Sequence, residues 1–125
     1  MFKIHHRLTG SVEPFAYLEK TAGETVQAGE ALSVANGKLT KCAAAAKPEY
    51  IAMGGENRQG LVPVIRVLPT TVFEVPAAAD QSALAVGSKV TLHTDGLQVT
   101  ATTSGGVFTL TRAAKAGENC VGYFA

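Results

Sequence analysis

Tryptophan is absent from these 125 residues, and Asp, Glu, Lys and Arg together make up only 17% of them, against about 25% in an ordinary soluble domain. Eleven basic residues stand against ten acidic ones, a formal net charge of +1. No electrostatic footprint for nucleic acid or an anionic membrane is present. A surface this poor in charge has little to hold it apart from its neighbours, which suits a protein that works docked on something. The opening residues MFKIHHRLTG lack the apolar core of a signal peptide, and no apolar run approaches a membrane span. The chain is expected to be made and kept in the cytoplasm. Its two cysteines, Cys42 and Cys120, are then expected as free thiols, with a Cys42–Cys120 bridge left open for maturation outside the cell.

Chemistry-bearing patterns are also missing. GGENRQG (54–60) is rich in glycine but lacks the Gly-Lys-Ser/Thr end of a phosphate loop. His5 and His6 are adjacent, and neighbouring side chains on an extended chain point to opposite faces, so they read as surface histidines. His93 with Asp95 could be drawn as a dyad, but the pair falls at an expected hairpin tip, where polar residues need no catalytic reason. Neither enzymatic activity nor a cofactor is expected.

What the chain does have is a pattern used twice. Val26 to Leu39 reads VQAGEALSVANGKL, and Leu84 to Leu97 reads LAVGSKVTLHTDGL. With Gly29 aligned on Gly87, Leu32 faces Val90, Val34 faces Leu92, and Leu39 faces Leu97. Each copy runs from a glycine turn into a short alternating strand and ends on Asn36-Gly37 or Asp95-Gly96. These dipeptides favour tight hairpins because they tolerate positive φ. Two related hairpins, 26–39 and 84–97, are therefore expected, with Leu32, Val34, Val90 and Leu92 at least half-buried.

The rest of the chain reads as strands. EPFAYLEK (13–20) sets Phe15, Tyr17 and Glu19 on one face against Ala16, Leu18 and Lys20 on the other. AAAAKP (43–48) is too short and too close to Pro48 to stand as a helix, and is expected as a loop with one turn. Tyr50 to Met53, Leu61 to Leu68, Thr71 to Val75, Val107 to Thr111 and Cys120 to Phe124 are further strands. Pro63 implies that its strand begins at an edge or carries a bulge. Arg66, among apolar neighbours, implies a head that snorkels outward. Gly105-Gly106 reads as a two-residue turn. Nine to eleven short strands at regular spacing define an all-β class, a small single-domain β-barrel or β-sandwich. Residues 1–12 carry no helical period and are expected as an extended N-terminal arm or edge strand, leaving 13–125 as the compact domain.

Taken together, AGETVQAGEALSVANGKLTK, EYIAMG, VPVIRVLPTTVFE and VGSKVTLHTDGLQVTATT resemble the small decoration (head-stabilising, or cement) proteins of tailed bacteriophages, over about residues 14 to 104. The resemblance implies a compact β-domain on the outer surface of the expanded head, made in the host cytoplasm and resident in the virion. Its implied partners are the major capsid protein and neighbouring copies of itself, with no nucleic acid and no membrane. A terminal arm or exposed strand often makes the capsid contact in such proteins. Phe2, Ile4, His5, His6 and Leu8 of the arm are the expected contact residues, since strand addition places alternate side chains in a partner's pockets. Two other readings stay open. One is a biotinyl- or lipoyl-type carrier, with Lys38 or Lys41 beside the Asn36-Gly37 turn. The other is a secreted structural β-domain.

Overall fold

The computed structural model describes all residues from Met1 to Ala125, and none of them is helical. Ten strands form in chain order: β1 Lys3–Arg7, β2 Phe15–Glu19, β3 Ala31–Ala35, β4 Lys38–Lys41, β5 Tyr50–Ala52, β6 Leu61–Arg66, β7 Thr71–Pro76, β8 Lys89–Val90, β9 Phe108–Arg112 and β10 Asn119–Phe124. They make two five-stranded sheets, ordered β2-β6-β5-β3-β4 and β1-β7-β10-β9-β8, with every named strand pair antiparallel. The class is all-β and sandwich-like.

The repeated sequence pattern is a repeated structure. Gly29 and Gly87 both take positive φ, at 77° and 92°. The Gly29 amide donates to the Ala52 carbonyl, and the Ala52 amide donates to the Glu30 carbonyl; Gly87, Leu110 and Ser88 make the same two bonds. Strand β2 ends where Lys20 meets Leu39 in a parallel bridge, and β7 ends where Ala77 meets Val99 in another. The Thr21 amide then bonds Leu39, and the Ala78 amide bonds Val99. Hence β2 to β6 and β7 to β10 are two copies of one unit, each a sheet that curls until its ends touch.

The hairpins differ in their loops. Asn36 and Gly37, with φ of 52° and 76°, fill a two-residue loop between Ala35 and Lys38, as a type I′ turn requires. In the second copy His93 pairs across to Gln98, and the Gly96 amide donates to the His93 carbonyl, giving a four-residue loop. The two extra residues shift the alignment, so the partner of buried Leu39 is buried Val99 rather than Leu97. Leu32, Val90 and Leu92 are buried as expected, but Val34 is exposed because the tip of the first hairpin projects beyond the core. The Leu92 end of the second hairpin is instead held to the first copy, its amide on the Ala44 carbonyl.

Two further expectations are corrected. Strand β6 is interior, between β2 and β5, despite Pro63. The Pro63 carbonyl accepts from Met53 on the β5 side, so the missing N–H also faces β5, and the ladder ends there at Ala52–Val64. The expected Gly105-Gly106 turn sits one residue earlier, closed by the Gly106 amide on Thr103, with Gly105 at φ 73°. Gly106 is needed for space, since a Cβ there would lie 2.2 Å from the Lys89 carbonyl oxygen.

Apolar burial follows the two copies. One cluster, Val26, Leu32, Leu39, Ala52, Val62 and Val64, fills the curl of the first sheet. The larger cluster fills the second and continues across to Ala31, Ile51 and Ile65 of the first, joining the two. Its centre is aromatic: Phe2, Phe73, Phe108 and Phe124 meet with ring centroids 5.0–6.0 Å apart. Cys42 and Cys120 are buried and unpaired, and burial raises both thiol pKa values.

Candidate binding surface

The N-terminal residues are part of the fold rather than a free arm. Strand β1 adds antiparallel to the edge of β7, and Phe2 is 3% exposed at the aromatic centre. The Phe2 amide donates to the Gly29 carbonyl, so the chain start crosses the turn that opens the first hairpin. Glu13, also buried, fastens the far end of this segment. Its carboxylate accepts a forked pair from Arg7 at 2.6–3.0 Å and a hydroxyl bond from Thr71 at 2.6 Å. Burial alone would raise the Glu13 pKa, but the bonds from Arg7 and Thr71 hold it below its ordinary value.

Consequently the five expected contact residues do not share one surface. Phe2 is withdrawn into the core and cannot reach a partner. Ile4 is half-buried and packs on the larger cluster. Leu8 is 61% exposed beyond the end of β1. His5 and His6 are both exposed, but on one side rather than opposite sides. A β-bulge between Ile4 and His6 inserts an extra residue against β7, and such a bulge re-aims side chains. Their Nδ1 atoms therefore lie 2.7 Å apart.

Sequence reasoning passed over the main exposed apolar feature. Phe15 and Tyr17 of β2 are each 55% exposed, with ring centroids 5.2 Å apart. Register places Phe15 across from Ile65 and Tyr17 across from Pro63. Ile65 in turn lines a cleft of about 210 Å³ between the sheets, walled by Met1, Ile4, Ile51, Met53 and Phe73. Met1 and Met53 at its rim are 45% and 47% exposed. The aromatic pair thus lies beside the cleft, joined to it through Ile65, with Lys3 among the cleft's walls. The alternation groups Phe15 with Tyr17 but, with Glu19 on their face and Lys20 on the other, does not say which face is buried; in the structure Ala16 and Leu18 pack inward on the smaller cluster.

Backbone groups add to this surface. The Arg66 amide donates to the Pro14 carbonyl, so in the β2–β6 ladder the hydrogen-bonded pairs fall on residues 14, 16 and 18. The amide and carbonyl groups of Phe15 and Tyr17 therefore point away from β6. The Lys20–Leu39 bridge closes only the end of β2. Phe15 and Tyr17 form an open edge.

The polar candidates are engaged locally. His93 Nδ1 lies 3.3 Å from Asp95 Oδ1 at the second hairpin tip, where Asp95 also accepts from the Leu97 amide and from Gln98. Lys38 is the first residue of β4 rather than a tip residue, and its ammonium lies 3.6 Å from Glu19. The Lys41 ammonium faces buried Glu30 at 3.9 Å and the Asp95 carbonyl at 3.4 Å. Neither lysine stands free on a turn as a carrier lysine would.

No protein-family model matches the chain, and no curated protein matches it. Among solved structures, the chain is similar to the N base of head fiber gp8.5 in bacteriophage phi29. The similarity has a TM-score of 0.63 at 20% identity and covers 90% of this chain and 95% of that one. The two share a fold over nearly their whole lengths.

Proposed function

We propose that this protein is a structural component of a tailed-phage head, seated on the outer capsid surface as a decoration protein or fiber base, and that it acts by binding rather than by chemistry. The fold shared with the phi29 head-fiber base carries this reading. It agrees with the decoration-protein resemblance of the sequence. The exposed apolar surface of Phe15, Tyr17, Met53 and Met1, on a chain with only 17% charged residues, gives a docking face of the required kind. Binding that is confined to the assembled shell stabilises it by mass action, so many weak contacts suffice.

The test is to mix purified protein with expanded heads that lack it, then follow co-sedimentation and the temperature of shell rupture. Saturable occupancy with a raised rupture temperature is expected. Absence of co-sedimentation at tens of micromolar protein would overturn the proposal.

A further inference from the structure

The internal duplication leaves one position filled in the second copy and empty in the first. Matching hydrogen bonds make Lys20 equivalent to Ala77, Ala16 to Phe73 and Leu18 to Val75. Phe15 and Tyr17 then correspond to Val72 and Glu74. In the second copy those two residues are covered by β1, which pairs His6 with Val72 and Lys3 with Glu74. In the first copy nothing covers Phe15 and Tyr17, and their rings are half in solvent. We infer that the open edge of β2 receives an extended strand from another head protein, antiparallel, in the place that β1 occupies on β7.

The physical case has three parts. An uncovered edge exposes unpaired amide and carbonyl groups, which proteins ordinarily blunt with charge, proline or a covering element. Here Pro14 and the Glu19–Lys38 ion pair stand at the two ends, while the middle presents two aromatic rings. Aromatic side chains at alternate positions of an edge gain from apolar neighbours directly across the strand. The incoming segment therefore carries apolar or β-branched residues two apart, opposite Phe15 and Tyr17. Finally, β1 belongs to neither repeated unit: it precedes both in the chain and is added to β7 from outside the β7–β10 unit. The equivalent slot on β2 suits an extended segment of a partner in the same way, rather than the β2 of a second copy, which is already paired within its own unit. Main-chain bonds would supply affinity and the aromatic pair specificity.

The identity of the partner rests on the head-protein reading above, and the experiment separates the two. Tyr17→Pro removes an outward N–H without removing a bond to β6, because the Tyr17 amide does not face that strand. A second arm measures amide hydrogen exchange in the unmodified protein, free and head-bound. Retained near-UV and far-UV dichroism by Tyr17→Pro, with at least tenfold weaker binding to heads, is expected. In the unmodified protein the Phe15 and Tyr17 amides are expected to slow at least tenfold on binding. Full-strength binding by folded Tyr17→Pro, or unchanged exchange at Phe15 and Tyr17 in bound protein, overturns strand addition and leaves the head-protein reading standing. No binding by the unmodified protein overturns both. A concentration-dependent dimer in solution that Tyr17→Pro abolishes assigns the edge to a second copy and likewise overturns the inference. Should Tyr17→Pro not fold, the exchange measurement alone decides.

Discussion

Replacing Phe2 by alanine tests whether the N-terminus belongs to the fold. The ring is 3% exposed and lies 5.5 Å from Phe124, 5.8 Å from Phe108 and 6.0 Å from Phe73, centroid to centroid. Its removal forfeits transfer free energy and leaves a cavity that three fixed phenyl rings cannot close, a loss of about 3–5 kcal/mol. Unfolding entropy of about 2.1 cal/mol/K per residue gives about 0.26 kcal/mol/K for a 125-residue chain. The expected fall in Tm is then about 11–19 °C. Because Phe2 precedes an edge strand, the variant has a second route of relief, the release of β1 from β7. Urea denaturation and amide exchange at Lys3–Arg7 distinguish the two, since release would strip protection from β1 while the rest of the protein holds. A change below about 1 kcal/mol with β1 still protected would refute the reasoning and return these residues to the status of an arm. The same logic says that deleting residues 1–12, which a free arm would tolerate, should compromise the fold itself.

Three other perturbations follow from particular contacts. Glu13→Gln keeps the shape but loses the charge that Arg7 and Thr71 hold; because the folded pKa of Glu13 lies below its ordinary 4.5, its contribution is present above that value and lost as pH falls through the depressed one, so Tm of the unmodified protein should drop more steeply than that of the variant below about pH 4.5. Glu30 has the opposite sign: burial pushes its folded pKa above 4.5, stability is lost as pH rises through that raised value, and Glu30→Gln should flatten the Tm–pH curve on that side and leave Tm at pH 7 equal or higher. Gly29→Ala must place a Cβ at φ 77° and 2.3 Å from Met1 Cβ; strain of about 1–3 kcal/mol is expected from the backbone alone, read as a lower urea midpoint, and an unchanged midpoint would mean that residue 29 does not hold this left-handed conformation in the folded protein.

Much of the fold was legible because its determinants are local. The Asn36-Gly37 turn, the alternation of FAYLE and the punctuation by glycine and proline specify strands and hairpins without tertiary help. Arg66 behaves as its apolar surroundings imply, exposed with its guanidinium 5.2 Å from the Tyr50 ring centre and bonded to the Tyr50 hydroxyl at 3.0 Å. What stayed hidden depends on partners distant in sequence. Phe2 is a core residue only because Phe73, Phe108 and Phe124 converge on it from β7, β9 and β10. His5 and His6 share a side only because β1 bulges against β7. Pro63 sits in an interior strand only because β5 happens to stop where its N–H is missing. The aromatic surface was half legible, since the alternation grouped Phe15 with Tyr17 but did not itself say which face of β2 was buried.

The duplication also accounts for how the two cores came to differ. In the second copy the buried face of the first strand carries Phe73 and Val75, whereas in the first copy the equivalent positions are Ala16 and Leu18. Larger side chains fill the second curl and bring Phe2 in with them, so that β1 has an apolar anchor beside the β7 edge. The first curl is filled by six smaller residues and offers no such anchor inside. Its bulk is displaced to the outer face instead, as Phe15 and Tyr17. An edge with its large residues buried retains a strand of its own chain; an edge with them outside holds its apolar area toward whatever approaches. The same sheet geometry, with side-chain volume moved from one face of a strand to the other, leaves β7 covered by β1 and β2 uncovered.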